Sequence, residues 1–413
     1  MTTTPPCRFC RTPLTHTFLD LGLQPLANSY LTPEQLAAGT EQSFPLHTRV
    51  CHECFLVQAD DPVSAEAIFD EGYAYFSSYS ASWVEHAKRY ATAMAERFNL
   101  TSDSLVVEIA SNDGYLLQHF VAMDVPVLGI EPTANTAQAA VARGVPTEVA
   151  FFNAETGRNL AARGLRADLM AANNVLAHVP DIDDFVAGFQ HALKPDGVLT
   201  FEFPHLLNLI ELVQFDTIYH EHFSYLSLLA VERVLRANGL RPFDVDLLPT
   251  HGGSLRLFVC HAGSGRDETE ALKSLRAAEH AAGLDRLETY GGFAPRVRAV
   301  RDSFLAFLAK ARTEGKAVAA YGAAAKGNTF LNYCGATTDD IVAVYDASLA
   351  KQGRFLPGSH VPILAPAQVV DAKPDYLVIL PWNLKAEIMA QMAHIRDWGG
   401  RFVIASPETR VAP

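Results

Sequence analysis

With 413 residues, 49% hydrophobic and 19% charged, the chain can bury two or three cores and is too rich in apolar residues to be disordered. Its 33 Lys and Arg against 46 Asp and Glu leave a formal charge of −13, which repels a phosphate backbone, so nucleic acid is not an expected partner. No stretch reaches the roughly eighteen uninterrupted apolar residues of a membrane span, and the segment Met1 to Cys7 has neither a basic nor an apolar region; a reducing cytoplasm is the expected setting.

Six cysteines occur, four of them in Cys7-Arg-Phe-Cys10 and Cys51-His-Glu-Cys54. Each pair supplies two corners of a tetrahedron, so the four thiolates predict one closed structural zinc site rather than disulfides. A closed site leaves no position for water, which argues against catalytic zinc; His52, inside a knuckle, is the alternative ligand. Cys260 and Cys334 read as buried small residues. From Cys7 to about Val63, turn residues separate short apolar runs with no helical period, so residues 1–70 are expected to form a small, irregular, zinc-stapled domain.

A helix is expected over 84–98, and the run 105–109 reads as the first buried strand of a parallel sheet. Strand patterns at 127–130, 169–171 and 198–203 alternate with helical patterns at 133–143 and 182–193, which implies a doubly wound α/β layer. The extended runs 241–248 and 254–260 are separated by a short turn and predict an antiparallel pair that closes the sheet, giving a middle domain over 71–262. Residues 267–312 read as a helical connector broken at 290–295. Strand patterns at 318–321, 341–345, 376–380 and 402–405 predict a second Rossmann-like domain within 263–413. The fold class is therefore α/β throughout, after the small metal module.

The segment Val106-Val-Glu108-Ile-Ala110-Ser-Asn112-Asp-Gly114 is a strand, an acidic strand end and a small-residue turn into a helix, the place where such a sheet holds its ligand. It lacks G-x-G-x-x-G, so a dinucleotide pyrophosphate would not gain the close glycine approach it needs, and NAD is disfavoured. The next strand ends Gly129-Ile-Glu131-Pro132, which places a carboxylate to accept from both ribose hydroxyls of an adenosine. Together the two loops read as the halves of an S-adenosylmethionine site. Residues 219–222 then pack a phenol, two imidazoles and a carboxylate into four consecutive positions. His-Glu-His lacks the i, i+4 histidine pair of a helical metalloprotease, so a catalytic metal is not expected there.

The four-Cys start, Tyr73-Ala-Tyr-Phe-Ser-Ser78, Glu108-Ile-Ala-Ser-Asn-Asp-Gly114, Asn173-Asn-Val-Leu-Ala-His178, Tyr219-His-Glu-His222, His251-Gly-Gly-Ser254 and Gly322-Ala-Ala-Ala-Lys-Gly327 together resemble the S-adenosylmethionine-dependent C-methyltransferases of nucleotide-linked deoxysugars. That family acts at sugar carbon 3 or 5, and the resemblance covers nearly the whole chain. It implies a zinc-binding domain, a cofactor-binding methyltransferase domain and a C-terminal Rossmann-like domain, with a dTDP-linked keto-deoxysugar of antibiotic biosynthesis in the cleft.

Carbon methylation beside a ketone needs a base, a donor to the enolate oxygen and a positioned methyl sulfonium. His222, with an ordinary imidazole pKa of about 6.5, is the expected base, Tyr219 the donor, and Glu221 an orienting partner or sugar ligand. His220 is expected to turn away into the fold, and His178 is a second catalytic candidate where cofactor and sugar meet. Tyr73 and Tyr75 share one side of an extended segment; Tyr73 is taken as catalytic, Tyr75 and Ser78 as sugar contacts. Asn173 and Asn174 complete the cofactor set of Glu108, Ala110, Asn112, Gly114 and Glu131. The loop over 321–328 opens a helix and offers amides and Lys326 to an anion, although it is not Walker A; His251, Asn328 and Lys351 join it as substrate-binding candidates. Two readings of other classes compete: a nicotinamide oxidoreductase with structural zinc, and a zinc-ribbon protein making macromolecular contacts. A monomer is expected.

Overall fold

The computed structural model describes residues 4–60 and 76–412, so Tyr73 and Tyr75 lie outside the described residues. The N-terminal module, expected to be irregular, contains an antiparallel sheet of β1 (His16–Pro25), β2 (Ser43–Val50) and β3 (Val57–Ala59). Register shifts between Thr17 and Leu19 and between Asp20 and Leu23 break the period-two alternation that would have marked β1 as a strand.

The middle domain carries β4 (Val106–Ile109), β5 (Val127–Glu131), β6 (Thr147–Val149), β7 (Ala167–Asn173) and β8 (Leu193–Pro204). The short β9 (Ser224–Tyr225) follows, then β10 (Leu240–Leu248) and β11 (Ser254–His261). Seven of these form one sheet in the order β10-β11-β8-β7-β4-β5-β6. β4 to β8 run parallel, and β11 and β10 close the sheet antiparallel, as the turn at 249–253 predicts. The chain moves outward from β4 through β5 to β6 and then returns to the other side of β4 as β7. That reversal is the topological switch point, and the crevice beyond the carboxyl ends of β4 and β7 is where a doubly wound sheet binds its ligand.

β9 does not join this sheet. It pairs with β3, so the N-terminal sheet reads β1-β2-β3-β9 and the turn just before β9 is tied to the N-terminal module. The connector forms helices Glu270–Ala281, Leu287–Gly291 and Phe293–Thr313. Phe18 of β1 stacks on Phe293 at 4.7 Å between ring centroids and meets Tyr290 edge-on at 6.1 Å. All three rings are at most 1% exposed, and full burial of each contributes about 1.5–3 kcal/mol, which joins the module to the connector.

The C-terminal sheet contains β12 (Val318–Tyr321), β13 (Val344–Tyr345), β14 (Ile363–Leu364), β15 (Tyr376–Ile379), β16 (Arg401–Ile404) and β17 (Arg410–Ala412). Their order is β14-β13-β12-β15-β16-β17, parallel except for β17, so this domain is also Rossmann-like. The strand expected over 341–345 is shorter, Val344–Tyr345. Among the described residues no helix is long and apolar enough to cross a membrane.

Candidate active site

The metal module builds each knuckle the same way. The amides of Arg11 and Phe55 donate to the carbonyls of Cys7 and Cys51, and both residues take a left-handed φ, 62° and 60°, which folds each Cys-x-x-Cys back on itself. The four Sγ atoms lie within 4.8 Å of one another, with Cys7 to Cys54 at 3.5 Å and Cys10 to Cys51 at 3.4 Å. A tetrahedral zinc with ~2.3 Å bonds has edges of ~3.8 Å, so the donor set fits a structural zinc. Gln58 Nε2 donates to Cys7 Sγ at 3.2 Å, an outer-shell contact of the kind that steadies a thiolate ligand. His52 lies outside this cluster of four thiols.

At the switch point, the loop after β4 places Ala110, Asn112 and Gly114 at left-handed φ values of 55°, 49° and 77°. Glycine suits position 114, since a Cβ there would lie 3.0 Å from Val145 Cγ2 as well as at positive φ. Gly129 on β5 is needed for space, because a Cβ would stand 2.4 Å from Ser111 Oγ. Burial pushes the Glu108 carboxyl well above its ordinary range. Glu108 Oε2, Asn173 Oδ1 and Asn174 Oδ1 are buried acceptors without a hydrogen-bond partner among the described residues. These oxygens, with the Glu131 carboxylate, fit a ligand carrying hydroxyl and ammonium donors, as S-adenosylmethionine does.

Glu131 is more constrained than expected. Its Oε2 accepts from the Asn112 amide at 2.9 Å and its Oε1 from the Thr133 amide at 3.0 Å, so the two cofactor loops fix both oxygens. Ser78, expected against the sugar, instead braces the cofactor loop: it donates to Asp113 Oδ2 at 2.5 Å and accepts from Arg143 Nη2 at 2.7 Å. The reason is that the Ser77–Tyr79 turn docks on this loop through the Ser77 amide, which donates to Asn112 Oδ1 at 2.9 Å. Glu131→Ala should weaken S-adenosylhomocysteine binding roughly 10- to 100-fold, because hydrogen bonds to a charged group contribute about 1.5–3 kcal/mol. Calorimetric titration checks this, and an unchanged affinity would place the adenosine elsewhere.

The residues 219–222 form a turn, with the His222 amide donating to the Tyr219 carbonyl at 2.9 Å. Its geometry brings three candidate rings together. His222 lies 4.1 Å from Tyr219 and 4.7 Å from His178, centroid to centroid. His178 Nδ1 is 2.9 Å from the Glu221 carbonyl and His222 Nδ1 is 2.9 Å from the Thr217 carbonyl. A carbonyl can only accept, so each Nδ1 carries the proton and each neutral ring keeps its lone pair on Nε2. Burial pushes His222 well below the imidazole range, and His178 is pushed down to about 4. Burial thus favours the neutral form of both rings over the ordinary imidazole behaviour.

Glu221 does not orient His222 through its carboxylate. That side chain turns to Asn28, whose Nδ2 donates to Oε1 at 2.6 Å, and the Thr217 carbonyl takes the orienting role. His220 turns into the N-terminal module, its Nε2 3.2 Å from the Pro45 carbonyl and its ring edge-on to Phe44. The acid limb of kcat/KM should accordingly lie below the ordinary imidazole value of about 6.5, with the rate falling only as the base takes up its proton. A pH–rate profile with its acid pKa near 6.5 would contradict this. Asp216, pushed up to about 6 by burial, also titrates in this range, and Asp216→Asn separates its contribution.

The C-terminal domain reaches the same turn. Lys326 Nζ donates to Asn383 Oδ1 at 2.8 Å and lies 4.7 Å from the centre of the Trp382 ring, whose Nε1 donates to Asp216 Oδ2 at 2.7 Å. Burial lowers the Lys326 pKa, and its charge in turn disfavours protonation of His222 and His251. His251 sits at φ 52° with its ring edge-on to Trp83. Lys351 Nζ donates to the Ala323 carbonyl at 2.7 Å and stands 5.0 Å over Tyr30, while Asn328 Nδ2 donates to the Ala27 carbonyl at 2.5 Å.

The structure therefore brings Tyr219, His178, His251 and Lys326 near His222, with Asn328 and Lys351 placed toward the N-terminal module. Sequence reasoning missed Asp216 with Trp382, and also Glu202, a fully buried carboxylate held by Arg256 at 2.7 Å and His86 at 3.1 Å. Glu202 left a signal, a lone acid in the apolar strand run Thr200-Phe-Glu-Phe203.

Residues 7–69 match the family model of a zinc binding domain, 70–244 that of a methyltransferase domain, and 249–407 that of the C-methyltransferase C-terminal domain. The chain is 36% identical over 405 residues to the C-methyltransferase NovU of Streptomyces niveus, covering 98% of this chain and 96% of that protein. It is also 24% identical over 95 residues to a ubiquinone biosynthesis O-methyltransferase of Bartonella bacilliformis, covering 23% of this chain and 38% of that one. Among solved structures, the magnesium protoporphyrin IX methyltransferase ChlM of Synechocystis PCC 6803 aligns with 48% of this chain and 88% of its own at 14% identity and a TM-score of 0.34.

Proposed function

The chain belongs to the S-adenosylmethionine-dependent C-methyltransferases that carry an N-terminal zinc-binding domain, and from that premise we propose that it methylates a carbon beside the ketone of a dTDP-linked 4-keto-deoxysugar in antibiotic sugar biosynthesis, at carbon 3 with carbon 5 as the alternative. The observation that carries this reading is the His222 imidazole, its Nδ1 held by the Thr217 carbonyl, packed against the His178 and Tyr219 rings. Family membership displaces the nicotinamide and macromolecular-contact readings.

When bound, S-adenosylmethionine supplies an electrophilic methyl sulfonium. His222 Nε2 takes the proton from the carbon beside the ketone, and the electron pair of that C–H bond moves toward the ketone oxygen. The Tyr219 hydroxyl donates to the developing enolate oxygen. The enolate carbon would then accept the methyl group that the bound cofactor supplies in exchange for its C–S bond, the ketone would return, and His222 would pass its proton to solvent. The desolvated site strengthens the attraction between imidazolium and enolate, and so favours the very charge separation that burial opposes in the free protein. Both carbons flanking a 4-ketone are acidic, so which one faces His222 decides between carbon 3 and carbon 5.

Incubation with ¹³C-methyl S-adenosylmethionine and dTDP-4-keto-6-deoxyglucose, followed by carbon NMR of the sugar, tests the reading. A labelled methyl on a sugar carbon is the expected result. Label on oxygen, or no labelled sugar, would refute this substrate.

A further inference from the structure

The zinc-binding module contributes more to this cleft than a folded support. Its segment around Ala27 to Leu31 is fixed to the C-terminal domain along its length. Asn328 holds the Ala27 carbonyl, Tyr30 Oη donates to the Ala323 carbonyl at 2.6 Å, and Leu31 and Phe355 exchange backbone hydrogen bonds at 3.0 and 2.9 Å. From this clamped segment the exposed Asn28 reaches the catalytic turn, donating to Glu221 Oε1 at 2.6 Å across 193 positions of sequence. The Glu221 carbonyl in turn accepts from His178 Nδ1 at 2.9 Å. One residue of the turn therefore touches a catalytic candidate through its backbone and the zinc module through its side chain.

We infer that Asn28 is a specificity-determining residue, which with Glu221 forms a polar clamp for a hydrogen-bond-donating substituent, hydroxyl or amine, close to the reacting carbon of the sugar. The inference rests on the sugar-methylation reading. Asn28 occupies one oxygen of the Glu221 carboxylate, Oε1, on the same residue whose backbone carbonyl meets His178. Asn28 Oδ1, 3.3 Å from Tyr30 Oη, is a second acceptor on the same face. Two fixed acceptors select a donor and reject a sugar lacking one, because the unmatched ligand leaves desolvated oxygens unpaired. Burial also pushes the Glu221 carboxyl above its ordinary range, and the Asn28 amide opposes that rise, favouring the accepting, ionised form.

The test compares Asn28→Ala, Asn28→Asp and the unaltered full-length, zinc-loaded protein for binding of dTDP and of dTDP-4-keto-6-deoxyglucose by calorimetry. Asn28→Ala should bind the keto-sugar nucleotide at least tenfold more weakly while dTDP affinity, zinc content and melting temperature stay as in the parent. Asn28→Asp, which sets a second carboxylate against Glu221, should lose more. An Asn28→Ala protein that keeps parental affinity for the sugar nucleotide overturns the inference, as does equal weakening toward dTDP. A parent protein that binds the keto-sugar nucleotide no better than dTDP overturns the sugar reading and this inference with it.

Discussion

Replacing His222 with asparagine is expected to lower methyl transfer about 10²- to 10⁴-fold, the usual scale for removal of a general base. The choice of asparagine follows from the structure. Its amide can still donate to the Thr217 carbonyl that holds Nδ1, so the turn keeps its anchor while the basic Nε2 is gone. If His222 is the base, the variant should also lose exchange of the sugar proton with solvent deuterium, with nucleotide binding retained. Tyr219→Phe should slow the reaction through weaker enolate stabilisation yet leave exchange measurable, so the two variants separate proton removal from oxygen stabilisation. Exchange at the parental rate in His222→Asn would transfer the role to His178, whose ring stands 4.7 Å away in the same tautomer. If the parent exchanges no proton without cofactor, single-turnover methylation of the deuterated sugar takes its place. A primary isotope effect in the parent that is altered in His222→Asn keeps the assignment.

What the sequence made legible was what is local. Val106-Val-Glu-Ile109 announces a buried strand because all four side chains lie inside, and the two Cys-x-x-Cys pairs announce a metal because their spacing alone makes a knuckle. The β1 strand was hidden by its own bulges. The orienting half of the Glu221 expectation took adjacency in sequence for contact in space: the neighbour of His222 in the chain sends its carboxylate to Asn28, and a backbone carbonyl five residues back, at Thr217, meets Nδ1 instead. Contacts such as Trp382 to Asp216 join residues 166 positions apart and leave no periodic trace. The downward shift of the two histidines comes from burial that only the assembled fold supplies, so it leaves no trace in the sequence.

Zinc removal has the other large expected effect, and it should reach the catalytic turn as well as the module. Structural zinc contributes about 10–16 kcal/mol to the folding of isolated zinc-finger peptides, and four buried or half-buried thiols would otherwise hold nothing together here. From the cluster, Gln58 links Cys7 to β3, where its Nε2 meets the sulfur and its Oε1 accepts from the Arg8 amide at 2.8 Å. β3 pairs with β9 through Val57 with Tyr225 and Gln58 with Ser224, and the Ala59 amide donates to the Phe223 carbonyl at 3.0 Å. Phe223 directly follows His222. Purified protein should therefore carry one zinc per chain, and Cys7→Ser or chelation should lower the melting temperature and abolish methylation together. The cofactor loops belong to a different sheet, so S-adenosylhomocysteine binding should outlast methylation as metal is withdrawn. Metal analysis, thermal melting and calorimetry on the same chelator series distinguish the outcomes. A zinc-free chain with parental melting and turnover would sink the structural-zinc assignment. Parallel loss of cofactor binding and methylation would instead mean that the module supports the whole middle domain, and not the turn ahead of β9 in particular.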